Sequence, residues 1–171
     1  MKWVAAIPLV VLALLAVLFV GFGLKRDPQV VPDAMVGRPA PTGTLPTLDG
    51  PPGKLPLTGG IKGPVLINVF FSTCVPCVQE APYLMAMKQQ GVKIVGLAYK
   101  EPEADTRGFL VRHGNPYAVV LVDRDGRQAI ELGASGAPET FLVDAKGVII
   151  AKHSGVITPD KADELIQKAG L

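Results

Sequence analysis

The stretch Val65–Pro82, VLINVFFSTCVPCVQEAP, holds both cysteines of the 171-residue chain, Cys74 and Cys77, at the junction of two unlike patterns. Before them, VLINVFF is a short apolar run rich in branched and aromatic side chains, the pattern of a strand buried on both faces. After them, Val78, Ala81, Pro82 and Met85 fall at i, i+3, i+4 and i+7, which predicts one face of a helix that Gly91 can end. The thiols therefore sit where a buried strand hands over to a helix. A fold that respects both patterns places them at the first turn of that helix.

The pattern continues regularly. VKIVGLAY, residues 92–99, reads as a second strand, and strand, helix and strand make a parallel crossover unit. Pro102 fits a helix's first turn, and Phe109, Leu110 and His113 give one face of a short helix ending near Gly114. AVVLVD, residues 118–123, is a third buried strand, followed by a short helix through Gln128 to Leu132. ETFLVDAKGVIIAKHSG, residues 139–155, predicts two strands about a turn at Ala145, Lys146 and Gly147. Thr158 as cap, Pro159 at the first helical position and Gly170 at the end frame a final helix. The predicted class is α/β, with a central mixed sheet and helices on both of its faces.

Trp3 to Leu24 is 22 residues without a charge, bracketed by Lys2 and by Lys25 and Arg26. At a rise of about 1.5 Å per residue it is long enough for a hydrocarbon core of roughly 30 Å. It exceeds a secretory h-region of about 7–15 residues, and no A-x-A-like cleavage site follows. Residues 1–27 are therefore expected to be a membrane anchor with flanking charges, whose balance leaves its orientation open. Nine of the 16 prolines and seven glycines lie between Pro28 and Pro64. Residues 28–63 are accordingly expected as a spacer, with Gly43–Leu48 and Lys54–Leu57 as short edge strands or a small hairpin. Residues 64–171 then form one domain. Lys2, Lys25 and Arg26 are three of the 17 Lys and Arg, and Asp27 is one of the 15 Asp and Glu, so 14 of each follow. That balance gives no net electrostatic reason to seek nucleic acid.

A Cys-x-x-Cys can be half of a metal site, a staple or a redox pair. A closed zinc site needs about four ligands, and His113 and His153 have no ligand-like spacing to another candidate. As a staple the pair closes too small a loop to stabilise much. As a redox pair its placement has a reason. A thiol at a helix's first turn meets unpaired N–H groups and the positive end of the dipole, which lower its pKa from about 8.5 toward roughly 7 or below. Cys74 would attack a substrate disulfide, and Cys77, one turn further in, would resolve the mixed disulfide.

The run NVFFSTCVPCVQEAP resembles a thioredoxin-fold active site, with Pro82 matching the proline that kinks the active-site helix. GAPETFLVD, Gly136 to Asp144, resembles the strand that begins with a cis-proline facing the disulfide, which assigns that role to Pro138. VVPDAMVGRPAP, GLAYK (Gly96 to Lys100), GNPY (Gly114 to Tyr117), DRDG (Asp123 to Gly126) and the amino-terminal anchor narrow the likeness. Together they are similar to the CcmG/DsbE family, membrane-tethered thiol:disulfide oxidoreductases of bacterial cytochrome c maturation. The resemblance implies a thioredoxin-like fold and places Glu80 and Glu139 at acidic positions near the active site and substrate groove. Asn68 stands where general thioredoxins bury an acid. An amide cannot take a proton there, which leaves that task to water, Glu80 or Glu139. Phe70 and Thr73 stand where the family usually has tryptophans, and Gly43 replaces an aromatic in its P-x-F-x-LP pattern.

What the resemblance implies is a protein-disulfide reductase of the inner membrane with its soluble domain, a monomer, in the periplasm. Its substrate would be the disulfide of apocytochrome c haem-binding cysteines or of a thiol partner carrying it, and its electron donor a membrane protein of DsbD/CcdA type. No cofactor beyond the Cys74–Cys77 dithiol and no metal is implied. A tethered reductant with another periplasmic client would share this chemistry. A non-enzymatic copper-delivery module would use both cysteines with a histidine. A peroxiredoxin is disfavoured, because Phe71 stands three residues before Cys74 where Thr or Ser would be expected.

Overall fold

All six residues of the central strand β3 (Val65–Phe70) are buried, as a strand covered on both faces requires. The computed structural model describes residues 7–23, 34–50 and 53–170. They fall in two units, residues 1–32 and 33–171. In the first, α1 (Ile7–Leu18) is followed by a π-helical stretch, Phe19–Gly23. Among the described residues no helix is long and apolar enough to cross a membrane. Residues 3–6 and 24, the ends of the expected span, lie outside them.

In the second unit the chain runs β1 (Thr44–Pro46), β2 (Lys54–Pro56), β3, α2 (Val75–Gln89), β4 (Ile94–Tyr99), α3 (Glu103–His113), β5 (Val119–Asp123), α4 (Arg127–Glu131), β6 (Glu139–Val143), β7 (Ile149–Ser154) and α5 (Pro159–Ala169). The five-stranded sheet has the order β5-β4-β3-β6-β7. Its β3, β4 and β5 are parallel, and β6 and β7 complete it antiparallel. This is the mixed sheet that the element order predicts. Strand alternation divides the core. Leu66, Phe70, Ile94, Val120 and Leu142 meet Leu84, Met87, Phe109 and Leu165 of α2, α3 and α5. Val65, Ile67, Val69, Leu97 and Phe141 meet Ala129 and Leu132 at α4 together with Leu45 and Leu57.

Leu45 and Leu57 revise the expected boundary at residue 64, because the residues read as a spacer are part of the domain. β1 and β2 pair as an antiparallel hairpin. The chain before β1 bonds to the outer edge of β7, Gly37 N to Ile149 O at 2.8 Å and Ile149 N to Arg38 O at 2.9 Å. After β1 it bonds to the outer edge of β5, Leu48 N to Val120 O at 2.9 Å. Both edges of the sheet are thus occupied by the segment that its Pro and Gly content marked as a tether. Proline removes single donors without preventing edge pairing, so composition hid the role.

The face of α2 also differs from the expected one. The buried residues are Cys77, Glu80, Ala81, Leu84 and Met87, while Pro82 is exposed. The true stripe contains a carboxylate, so a search for apolar residues at helical spacing drifts off it.

Gly43 has a local explanation. A Cβ built there would lie 1.8 Å from Oε1 of Gln128, so the glutamine fills the space beside the glycine. That oxygen is buried and has no hydrogen-bond partner among the described residues. Gly43→Phe alone should cost about 1–3 kcal/mol through overpacking, and Gln128→Ala in the same chain should recover most of it. Urea unfolding of both single variants and the double variant checks this; additive losses would refute the coupling.

Candidate active site

Cys74 is the N-cap of α2, with extended φ and ψ of −79° and 102°, and its sulfur accepts a hydrogen bond from Cys77 N at 3.2 Å. This is the contact that favours a thiolate at a helix start. The two cysteines form a disulfide, with Cα atoms 5.2 Å apart. Cys74 is 3% and Cys77 2% exposed. Their unequal depth along the helix therefore does not show as unequal exposure in this state, because the Cys74 sulfur turns back under the helix end toward its partner. The surface above is made by Val75 and Pro76, both exposed.

Two clefts flank the disulfide turn. Pro76, Gln79, Gly136, Pro138, Glu139 and Ser154 are among those lining one of them, and the Ala137–Pro138 peptide bond is cis. Phe71, Ser72, Thr73, Tyr99 and Glu101 are among those lining the other. There the buried Glu101 carboxylate accepts from Ser72 N and from Thr106 Oγ1, both at 2.7 Å, and so fastens the approach to Cys74 onto α3. The two departures from tryptophan fall in different places. Thr73 is exposed in this second cleft, whereas Phe70 is fully buried and stacks on Tyr117 with ring centroids 4.8 Å apart.

Glu80 lies one turn beyond Cys77 on the same buried face and is itself fully buried. Its carboxylate accepts from Asn68 Nδ2 at 2.8 Å and from Ile157 N at 3.3 Å. Burial pushes its pKa up from 4.5 to about 7, and the hydrogen bonds from Asn68 and Ile157 pull against that rise. Asn68 also donates to Thr140 Oγ1 at 3.0 Å and accepts from the Tyr117 hydroxyl at 2.8 Å. Burial, and secondarily the charge of Glu80, holds the Tyr117 phenol well above its ordinary pKa. At neutral pH it stays protonated and so keeps a proton to donate.

Glu139 is turned the other way. It and Phe141 point to the α4 side of β6, while Thr140 points toward α2. Its carboxylate accepts from Ser135 N at 3.2 Å, Ser135 Oγ at 2.6 Å and Ser154 Oγ at 3.0 Å, and pairs with Lys152 Nζ at 3.1 Å. Both side chains of that ion pair are 3% exposed. Glu139 thus fastens the strand behind Pro138, and only Glu80 shares a face with Cys77. The histidines stand apart. His113 packs on the Phe109 ring and His153 Nε2 meets Val156 O at 3.1 Å. Among the described residues no group of three or more His, Cys, Asp or Glu side chains is arranged to hold a metal ion.

Tyr117, Thr140 and Glu101 escaped assignment from sequence. The available signal was Asn68 itself: an amide within a run of buried apolar residues must find partners on neighbouring elements. Glu80 also has a thermodynamic signature. Its folded pKa lies above its unfolded value, so the folded state binds the extra proton and stability falls as pH rises through that interval. Between about pH 4.5 and pH 8 the oxidised protein should lose roughly 3 kcal/mol from this group. Denaturant midpoints measured across that range should show the slope, and Glu80→Gln should remove it.

The comparisons agree with this geometry. The Redoxin family model matches residues 35–166. The thiol:disulfide interchange protein DsbE of Pseudomonas fluorescens biotype C is 40% identical over 157 residues, covering 91% of this chain and 86% of the relative. DsbE of Escherichia coli strain K12 is 38% identical over 142 residues, covering 82% and 77%. Among solved structures, the thioredoxin domain of a thiol-disulfide oxidoreductase from Bacteroides vulgatus superposes with a TM-score of 0.64 at 25% identity, covering 78% of this chain and 96% of that one. With its thioredoxin-like fold and its disulfide at a helix start, the chain belongs to the DsbE (CcmG) family of thiol:disulfide interchange proteins and is a thiol:disulfide oxidoreductase.

Proposed function

We propose that this protein reduces disulfides during cytochrome c maturation, acting on the haem-binding cysteines of apocytochrome c or on a thiol partner that carries their disulfide. The observation that supports the chemistry is the Cys74–Cys77 disulfide, with Cys74 as the N-cap of α2 beside the Pro138 cleft. The DRDG, GNPY and PETF runs support the pathway. The uncharged run from Trp3 to Leu24 supports a single anchor in the inner membrane with the soluble domain in the periplasm. The working form is the dithiol, with no other cofactor.

The reaction has two exchanges. The Cys74 thiolate, favoured by the α2 amides, attacks one sulfur of the substrate disulfide, and the other sulfur leaves as a thiolate. The Cys77 thiol then gives its proton to the Glu80 carboxylate and attacks Cys74, expelling the second substrate sulfur. Two electrons pass to the substrate, and the cysteines end as a disulfide. A membrane donor of DsbD/CcdA type returns them by the reverse exchanges. Backbone groups beside Pro138 and along the cleft hold the substrate as an added extended strand. The pKa of about 7 suits Glu80 to receive and release a proton at neutral pH.

Cys77→Ala, expressed from the full chain in a cytochrome c-producing bacterium, should accumulate a mixed disulfide through Cys74. Mass spectrometry after non-reducing isolation should identify an apocytochrome c or its thiol carrier; capture of neither would exclude this pathway. With a small thiol preloaded on Cys74, Glu80→Gln should slow its release by Cys77 about a hundredfold at pH 7. An unchanged release rate would remove Glu80 from the mechanism.

A further inference from the structure

The buried network around Asn68 reaches the Tyr117 phenol, which has no part in the exchange as described. Its position is built by several elements. Asn68 on β3 and Gly96 on β4 are register partners. A Cβ at Gly96 would lie 2.8 Å from the Tyr117 ring and 2.9 Å from Phe70, so only glycine leaves the ring room to lie there. Stacked on Phe70, the ring delivers its hydroxyl to Asn68 Oδ1 at 2.8 Å. Asn115 Oδ1 fastens the same turn by accepting from Tyr117 N at 3.0 Å.

From this geometry we infer that Tyr117 is a positioning residue that fixes the Asn68 amide with its N–H₂ group toward Glu80. An amide has two nearly isosteric ends, and only the nitrogen end stabilises a carboxylate. The Thr140 hydroxyl does not choose between them, since it can donate or accept. Tyr117 does choose. Its hydroxyl makes a single hydrogen bond among the described residues, and a flipped amide would leave a buried phenol proton without an acceptor. The Asn68 donor is therefore held toward Glu80 through the whole exchange, as the carboxylate alternates between its charged and neutral forms.

Other groups facing Glu80 leave this role to Tyr117. Ile157 offers a backbone N–H, the Thr140 hydroxyl accepts from the Asn68 amide nitrogen, and Cys77 lies one turn away on the same buried face of α2. On β7 the titratable groups are His153, register partner of Thr140, whose ring is engaged with Val156 O, and Lys152, which pairs with Glu139 on the other side of the sheet. On α5, Lys161 and Lys168 pair with Glu164. Glu101 is directed to Ser72 and Thr106.

This inference rests on the proposed proton-accepting role of Glu80 for its functional meaning, but its test does not. In Tyr117→Phe the amide is free to turn its oxygen toward Glu80, which favours the protonated acid. In the full chain labelled at glutamate carboxyl carbons, NMR titration should show the Glu80 midpoint rising from about 7 by about one pH unit. Gly96→Ala keeps the hydroxyl but displaces the ring, and should move the midpoint the same way. With the fold intact by its amide spectrum, an unmoved midpoint in Tyr117→Phe overturns the inference. Release of a small thiol from Cys74 should then fall about fivefold at pH 7 and recover by about pH 9, as the ionised fraction dictates. A shifted midpoint with an unshifted release profile supports the positioning by Tyr117 and refutes proton acceptance by Glu80.

Discussion

One amide in the middle of the central strand ties the catalytic helix to the sheet. Asn68 is fully buried, yet its three hydrogen bonds reach α2 through Glu80, β6 through Thr140 and the turn before β5 through Tyr117. A polar group so placed is costly unless every partner is present, so the elements that carry those partners are held in one arrangement. Glu80 extends the tie by accepting from Ile157 N, just before α5. The face on which Cys77 lies is therefore fixed by polar contacts as well as by the packing of Leu84, Met87 and Leu165.

The two acids of the site owe their different characters to strand and helix geometry. Glu80 points into an apolar layer with only neutral donors around it, and burial raises its pKa to about 7. Glu139 emerges on the opposite side of the sheet, where Lys152, two serine hydroxyls and an amide surround its oxygens. A carboxylate with a buried cation and three donors is a structural anchor. Its place directly after Pro138 makes it the fastening of one wall of the cleft. Glu101 does the same for the second cleft by holding Ser72.

The segment before β3 shows why a proline-rich stretch need not be a tether. Its chain bonds to the outer edges of both β7 and β5, and Leu45 and Leu57 fill the core between. An open sheet with two free edges is a template for unwanted pairing, and here the domain's own chain occupies them. The pairing of Gly43 with Gln128 belongs to the same layer. A long side chain from α4 fills the space beside Gly43, and among the described residues its buried oxygen has no hydrogen-bond partner.

Local pattern alone determined the order of strands and helices, the position of the cysteines at a helix start and the caps of the final helix, where Thr158 accepts from Lys161 N. These depend on residues near one another in the chain, where periodicity and turn chemistry act directly. The resemblance supplied Pro138, Glu80 and Glu139 as positions, without their surroundings. The tertiary structure alone decided which acid shares a face with Cys77, that Phe70 stacks on Tyr117, and that residues 34–50 and 53–63 belong to the domain. Each of these depends on which face of a strand or helix meets which neighbour. A buried Glu80 within the apolar stripe of α2 and an Asn68 within β3 read locally as polar interruptions, and they acquire meaning only when folding brings Tyr117, Thr140 and Ile157 within hydrogen-bond distance.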